Sequence, residues 1–301
     1  MIKSVTITNY LDETIKLEFG RPEKSGFAVL GITGLGPSKA DINVTEVATN
    51  DGSTYNSARV NTRNIVLTLK LMFNPSVEDM RQLSYKYFPL KKRLKLLVET
   101  DNRSCYTYGY VESNEPNIFS KNETTQISII CPDPYFYAID ESTSIFTGTE
   151  SEFEFPFSNE SLTLNLMDVG NILILTTQNV YYSGDAEVGI LISMHAIASA
   201  ANVSIYNDTT NEIMKIDTVK LATLTGSGII AGDEIIISTV KGNKYISLIR
   251  NGVTTNIINC LDKNVSWIRL TKGDNVLGYT AETGASNLHF KIENKTVYEG
   301  V

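Results

Sequence analysis

The stretch "IICPDPYFYA", Ile129–Ala138, ends an apolar run on two prolines that flank an aspartate. Three consecutive aromatics follow, Tyr135, Phe136 and Tyr137. Proline donates nothing to a sheet ladder and fixes φ, so a strand that reaches Cys131 should stop at Pro132. Three uses fit such a stop: a catalytic loop, a loop that stacks sugars, or the mechanical end of a domain. The choice depends on what surrounds it.

Immediately upstream, "TTQISIIC" places Ile127, Ile129 and Cys131 on one face of a strand. "RSCYTYGYV" alternates Tyr106, Tyr108 and Tyr110 against Cys105, Thr107 and Val111. "NIVLTLKLMF" alternates Ile65, Leu67, Leu69 and Leu71 against Val66, Thr68 and Lys70. Period-two patterns of this kind mark half-buried, neighbouring antiparallel strands. One helix is predicted in "NPSVEDMRQLSYKYFPL", with Ser76 as N-cap, Glu78 and Asp79 in the first turn, and Pro89 as the stop. Val77, Met80, Leu83 and Tyr87 supply its apolar face. Between Gly20 and Ser57 the chain is rich in Gly, Ser, Asn and Thr, with weak alternation near Ala40–Val47, and reads as a long excursion from the sheet.

After Tyr137 the composition shifts to "AIDESTSIFTGTESEFEF", acidic and hydroxyl-rich, which sets a boundary between domains 1–139 and 140–301. The second half reads as strand after strand. "EVGILISMHAI" alternates, "VSIYNDTTNEIMKI" turns around Asn207–Asn211, and "DEIIISTVKGNKYISLIRNGVTTNII" holds three strands with turns at Gly242-Asn243 and Asn251-Gly252. Many short strands with regular turn signals predict a β-sandwich.

The 301 residues are 42 % hydrophobic and 20 % charged, enough to bury cores without disulfides or metals. The net charge of −8 argues against a sequence-independent DNA binder, though not against a surface that DNA merely passes. No apolar run approaches the roughly 20 residues of a membrane helix, and the N-terminal residues carry no signal-peptide pattern. Cys105, Cys131 and Cys260 are too scattered for a disulfide framework or a zinc site.

Candidate chemistry is sparse. His195 and His289 alternate with apolar residues in strands, without triad or metal spacing. Glu152, Glu154, Asp233 and Glu234 are nominal glycosidase carboxylates that sequence cannot pair. "GITGLGPSKA" lacks the Gly-Lys-Ser/Thr ending of a phosphate loop. "FPLKKRLKLL", with Lys91, Lys92, Arg93 and Lys95, reads as a solvated turn and edge strand, or else an inter-subunit contact. The tyrosine stripe and Trp267 are possible carbohydrate contacts. No catalytic, metal or cofactor-binding residue is assigned.

The order and spacing of "ARVNTRNIVLTLKL", "KKRLKLLVETDNRSCYTYGYVES" and "ICPDPYFYA" resemble the distal tail protein family of siphophage-like tails. In the second half, "GDEIIISTVKGNKYISLIRNGV", "SWIRLTKGDNVLGYTAE" and "VYEGV" look like the galectin-like or carbohydrate-module-like jelly-roll sandwich of that family. The resemblance covers both halves. It implies a mainly β chain: an N-terminal β-barrel-like ring domain with one helix, followed by the sandwich. It further implies a non-enzymatic virion protein, a homo-hexameric baseplate hub joining the tail tube to the baseplate or tail tip. Implied partners are the tail tube protein, a tail-tip fibre or lysin protein, and receptor-binding or other baseplate proteins. DNA would pass through the lumen, with no cofactor and no membrane insertion. The particle would be assembled in the bacterial host cytoplasm. On this reading Pro132, Asp133, Pro134, Tyr135 and Phe136 form a stiff domain terminus. The alternative is a carbohydrate-binding protein that recognises a host-surface glycan through its sandwich.

Overall fold

The computed structural model describes residues 1–46, 48, 51–73, 76–117, 123–150 and 171–301. They divide into two compact units, Met1–Asp140 with Val297–Val301, and Glu141–Thr296. The sequence boundary placed all of 140–301 in the second domain; the structure groups Asp140 and the closing residues 297–301 with the first.

The first unit contains β1 (Ile2–Thr8), β2 (Thr14–Glu18), β3 (Phe27–Thr33), β4 (Ala40–Glu46), β5 (Ser53–Val60), β6 (Arg63–Leu71), α1 (Val77–Tyr87), β7 (Arg93–Thr100), β8 (Ser104–Asn117) and β9 (Thr124–Cys131). β10 (Phe136–Ile145) leads out of it. Seven strands form an antiparallel sheet in the order β2-β1-β7-β8-β9-β6-β3. Among the described residues β2 and β3 do not pair, so the barrel-like sheet expected of this half is open rather than closed.

Ile65, Leu67 and Leu69 are 0 % exposed, as their alternation predicts, and pack with Val5, Leu17, Phe27, Leu96 and Ile129. The helix begins and ends as expected. Ser76 accepts a hydrogen bond from the Asp79 N–H at 3.1 Å, and α1 stops two residues before Pro89. Met80 is buried, and Val77, Leu83 and Tyr87 pack against the same core.

Two segments depart from their sequence pattern. The Gly20–Ser57 stretch is not one long excursion, because Phe27–Thr33 is a sheet strand paired with β6. Its alternation is blurred by a register shift between Val29 and Gly31. The basic segment is not an edge strand either. β7 lies between β1 and β8, and its odd-numbered cations occupy one face of an interior strand.

The second unit contains β11 (Thr147–Glu150), β12 (Asn171–Ile174), β13 (Thr177–Tyr182), β14 (Val188–Gly189), β15 (Leu191–Ala196), β16 (Ser204–Asn207), β17 (Glu212–Lys215), α2 (Thr218–Thr225), β18 (Glu234–Ser238), β19 (Tyr245–Arg250), β20 (Val253–Asn256), β21 (Arg269–Leu270) and β22 (Gly273–Thr280). β23 (Leu288–Tyr298) leads back to the first unit. The sheets β23-β15-β18-β19-β20 and β13-β22-β16-β17 enclose one core. Tyr279 of one stacks on Phe290 of the other, with centroids 3.9 Å apart. This is the predicted sandwich arrangement.

The turns follow their chemistry. Asn251 and Gly252 both have positive φ, 51° and 77°, as a two-residue hairpin turn requires. The strand-only reading missed α2, whose Thr-rich sequence has weak helical periodicity. Its ends carry the signal instead: the Asp217 carboxylate accepts from the Val219 and Lys220 N–H groups, and Gly226 closes the helix at φ 83°.

Candidate functional site

The Pro-Asp-Pro motif ends β9 but does not end the sheet. Tyr110 of β8 lies opposite Ile130 of β9, while Tyr106 and Cys105 lie opposite Tyr137 and Ala138 of β10. β9 and β10 therefore run along the same side of β8 in the same direction. Four steps along β8 are matched by seven in the motif, so three residues are extruded. Pro132 and Asp133 are exposed, whereas Pro134 and Phe136 are buried and Tyr135 is half-buried. Asp133 braces the bulge: its carboxylate accepts from the Tyr135 N–H at 3.4 Å and from the Tyr137 hydroxyl. Burial, then that carboxylate, push the Tyr137 phenol well above its ordinary pKa.

Beneath the bulge lies a residue to which the sequence analysis gave no role. Arg63 is 3 % exposed and follows the phase of Ile65, Leu67, Leu69 and Leu71. Its guanidinium donates to the carbonyls of Pro134 (2.7 Å), Gly34 and Gly36 (2.5 Å each) and Glu299 (2.5 Å). The Phe136 ring lies 4.5 Å from its Cζ. Burial lowers its pKa, yet four carbonyl dipoles and an aromatic face surround the cation. One side chain thus ties the β3–β4 connection, the extruded motif and residues 297–301 into one unit. The signal for it was available: an arginine in the phase of a buried apolar face. The glycine-rich "GITGLGPSKA" turns carbonyls toward this cation, the opposite polarity to a loop that cradles phosphate with N–H donors.

Among the described residues β4 and β5 pair only with each other. Cross-strand partners place Ala40 with Val60, Ile42 with Ala58, and Val44 with Tyr55 on one face. That face is bare, with Ile42 64 % and Tyr55 63 % exposed. The opposite face is satisfied within the hairpin: Arg59 and Asn61 bind Asp41, and Asn56 donates to Thr45 at 2.6 Å. A two-stranded hairpin is marginal alone in water, and its outer edges leave backbone groups unpaired.

Among the described residues the remaining sequence candidates are only partly brought together. His195 and His289 are direct cross-strand partners, and Glu234 is the next neighbour of His195. Among the described residues, however, no group of three or more His, Cys, Asp or Glu side chains could hold a metal ion. Asp233 is buried in an ion pair with Arg250 at 2.6 Å, a structural use. Glu152 and Glu154 lie outside the described residues, as do Asn74 and Pro75 at the start of the helix motif. Trp267 packs half-buried on the second core, with the Lys244 ammonium 5.1 Å from its ring centroid, over a surface that a stacked sugar would need. Among the described residues no helix is long and apolar enough to cross a membrane.

No family model and no curated protein matches this sequence. The solved structures give a different result. The Dit protein of phage SPP1, described as a paradigm of the hub adsorption apparatus in phages infecting Gram-positive hosts, superposes with a TM-score of 0.63 at 12 % identity. The match covers 97 % of this chain and 98 % of that one. Chains of the phage P2 baseplate, in its activated conformation with Ca or Sr, align at 11 % identity and a TM-score of 0.45. They cover 98 % and 97 % of this chain, and 99 % and 98 % of theirs. The fold assignment rests on the SPP1 protein alone: this chain has the fold of a phage distal tail protein over nearly its whole length.

Proposed function

We propose that this chain is a structural, non-enzymatic distal tail protein, the hub of a phage or phage-like tail. In this reading six copies form a ring that joins the tail tube to the baseplate or tail tip. The carrying observation is the fold shared across both units with the SPP1 hub protein. The bare apolar face of the β4–β5 hairpin supports it, because a closed ring needs one patch that meets a different patch on the next copy. The hairpin offers both means of joining, an apolar face to bury and open strand edges to pair. The rigid open sheet, cross-tied by Arg63, supplies the frame. A net charge of −8 suits a passage that must not trap a moving duplex. The 141–296 sandwich, galectin-like in this reading, would then carry tail-tip, lysin or receptor-binding partners.

The test is light scattering coupled to size-exclusion on the full chain, followed by negative-stain imaging. The chain mass is 33.3 kDa. A hexameric ring appears at about 200 kDa, six chain masses. A monomer at the highest attainable concentration, with no annular particles, counts against the reading. Glycan-array binding by such a monomer transfers it to carbohydrate recognition by the second unit.

A further inference from the structure

The basic run of β7 and the tyrosine stripe of β8 form one surface. Lys95 lies directly opposite Tyr108, and Arg93 opposite Tyr110. Each cation leans to the diagonal ring: the Arg93 Cζ is 3.8 Å from the Tyr108 centroid, and the Lys95 Nζ is 4.3 Å from that of Tyr106. Beside them the Lys92 Nζ lies 5.3 Å from the Tyr10 ring. Tyr106 is also held edge-on against Tyr108 and tilted against Tyr137. A recess of about 510 Å³ opens here, lined by Thr8, Tyr10, Arg93, Lys95 and Tyr108, with Asp12 as its one carboxylate. Among the described residues none of Lys91, Lys92, Arg93 and Lys95 forms an ion pair with a carboxylate, although the chain carries 34 acidic residues and most of its ion pairs are on the surface.

We propose that this face docks an acidic segment of another protein, with carboxylates on Arg93 and Lys95 and an apolar side chain in the recess between Tyr10 and Tyr108. A guanidinium stacked on a ring keeps its N–H edge free for bidentate capture of a carboxylate. Exposed tyrosine with arginine is also the composition of interface hot spots. Charge complementarity selects an acidic partner, since this patch reverses the sign of an otherwise acidic molecule. Single-stranded nucleic acid is the lesser fit. Bases bind by stacking on open aromatic faces, and here the chain's own cations lie against those rings. The site stands independently of the ring hypothesis.

The experiment uses the full chain and two probes read by fluorescence anisotropy at low salt: a short fluorescein-labelled Glu–Tyr copolymer, and a thymidine oligonucleotide of matched charge. The copolymer binds wild type, and R93Q/K95Q weakens it about tenfold or more. R93K, which keeps the charge and loses the planar fork, weakens it less. K241Q/K263Q, an equal charge change on exposed residues of the second unit, leaves binding unchanged. Thermal melts confirm that all variants fold. No copolymer binding, equal loss in both double variants, or tighter binding of the oligonucleotide overturns the proposal. So does loss of self-association in R93Q/K95Q by sedimentation, which assigns the face to a second copy of this chain.

Discussion

β4 and β6 are near neighbours in sequence, and both alternate apolar with polar residues, yet their faces have opposite fates. The β6 face is closed over by the sheet core, and even its arginine is 3 % exposed. The apolar face of the hairpin, only a few residues upstream, is open to solvent along its whole length. Alternation therefore reports that a face exists, not that the same chain covers it. A covered face should be costly to disturb and an uncovered one cheap, unless another copy covers it.

The largest effect is expected at Arg63. Arg63→Ala leaves four buried or partly buried carbonyls without their donor, at about 1–3 kcal/mol each where water cannot replace it. Urea melts should show the first unit destabilised by roughly 3 kcal/mol or more, with Arg63→Lys intermediate because one ammonium cannot reach all four acceptors. A neutral Arg63→Ala would mean the cation is dispensable and the contrast with the hairpin is false. A smaller loss is expected at Gly34, whose φ is +83° and whose added Cβ would lie 2.0 Å from the Asn64 carbonyl oxygen. Gly34→Ala should cost about 1–3 kcal/mol, read by the same melt.

The covered face also holds thiols. Burial pushes Cys105 and Cys131 up to about 11 from an ordinary 9.0. The folded chain keeps those protons while the unfolded chain loses them. Their contribution is therefore intact below pH about 9 and is lost as pH rises toward about 11. Melts across that window should show falling stability that Cys105→Ser or Cys131→Ser flattens, and thiol labelling at neutral pH should require urea. Labelling of Cys131 in the native chain would show that the Arg63 region opens readily.

What the sequence displays and what it conceals follow the same line. The strands around Ile65, Tyr106 and Ile129 were legible because unbroken period-two runs have one explanation. The hairpin was obscured by one residue. Asn43 pairs with Ser57 but Val44 with Tyr55, so Asn56 is extra and Tyr55 shares a face with Ala58 and Val60 despite opposite parity. The same ambiguity hid β10, since a three-residue bulge and a strand end look identical in "CPDPY". The Arg93–Tyr108 surface was split into a basic run and a tyrosine stripe because neither segment states the register between them. The turn at Thr100–Arg103 fixes that register.

The smallest effect on the isolated chain carries the sharpest form of the comparison. Ile42→Asp and Tyr55→Ser alter side chains that are 64 % and 63 % exposed and remove no contact with the sheet core. Each should change the melt by no more than about 0.5 kcal/mol, the ordinary range for surface substitutions. If, as proposed, copies join through this face in a ring, the same positions become covered there, and both variants should fail to form annular particles. Protease should cut residues 40–60 in free subunits and spare them in the ring. If the variants assemble normally and the hairpin is cut equally in both states, its apolar face is not what joins the copies, and the ring must close through other surfaces of the sheet.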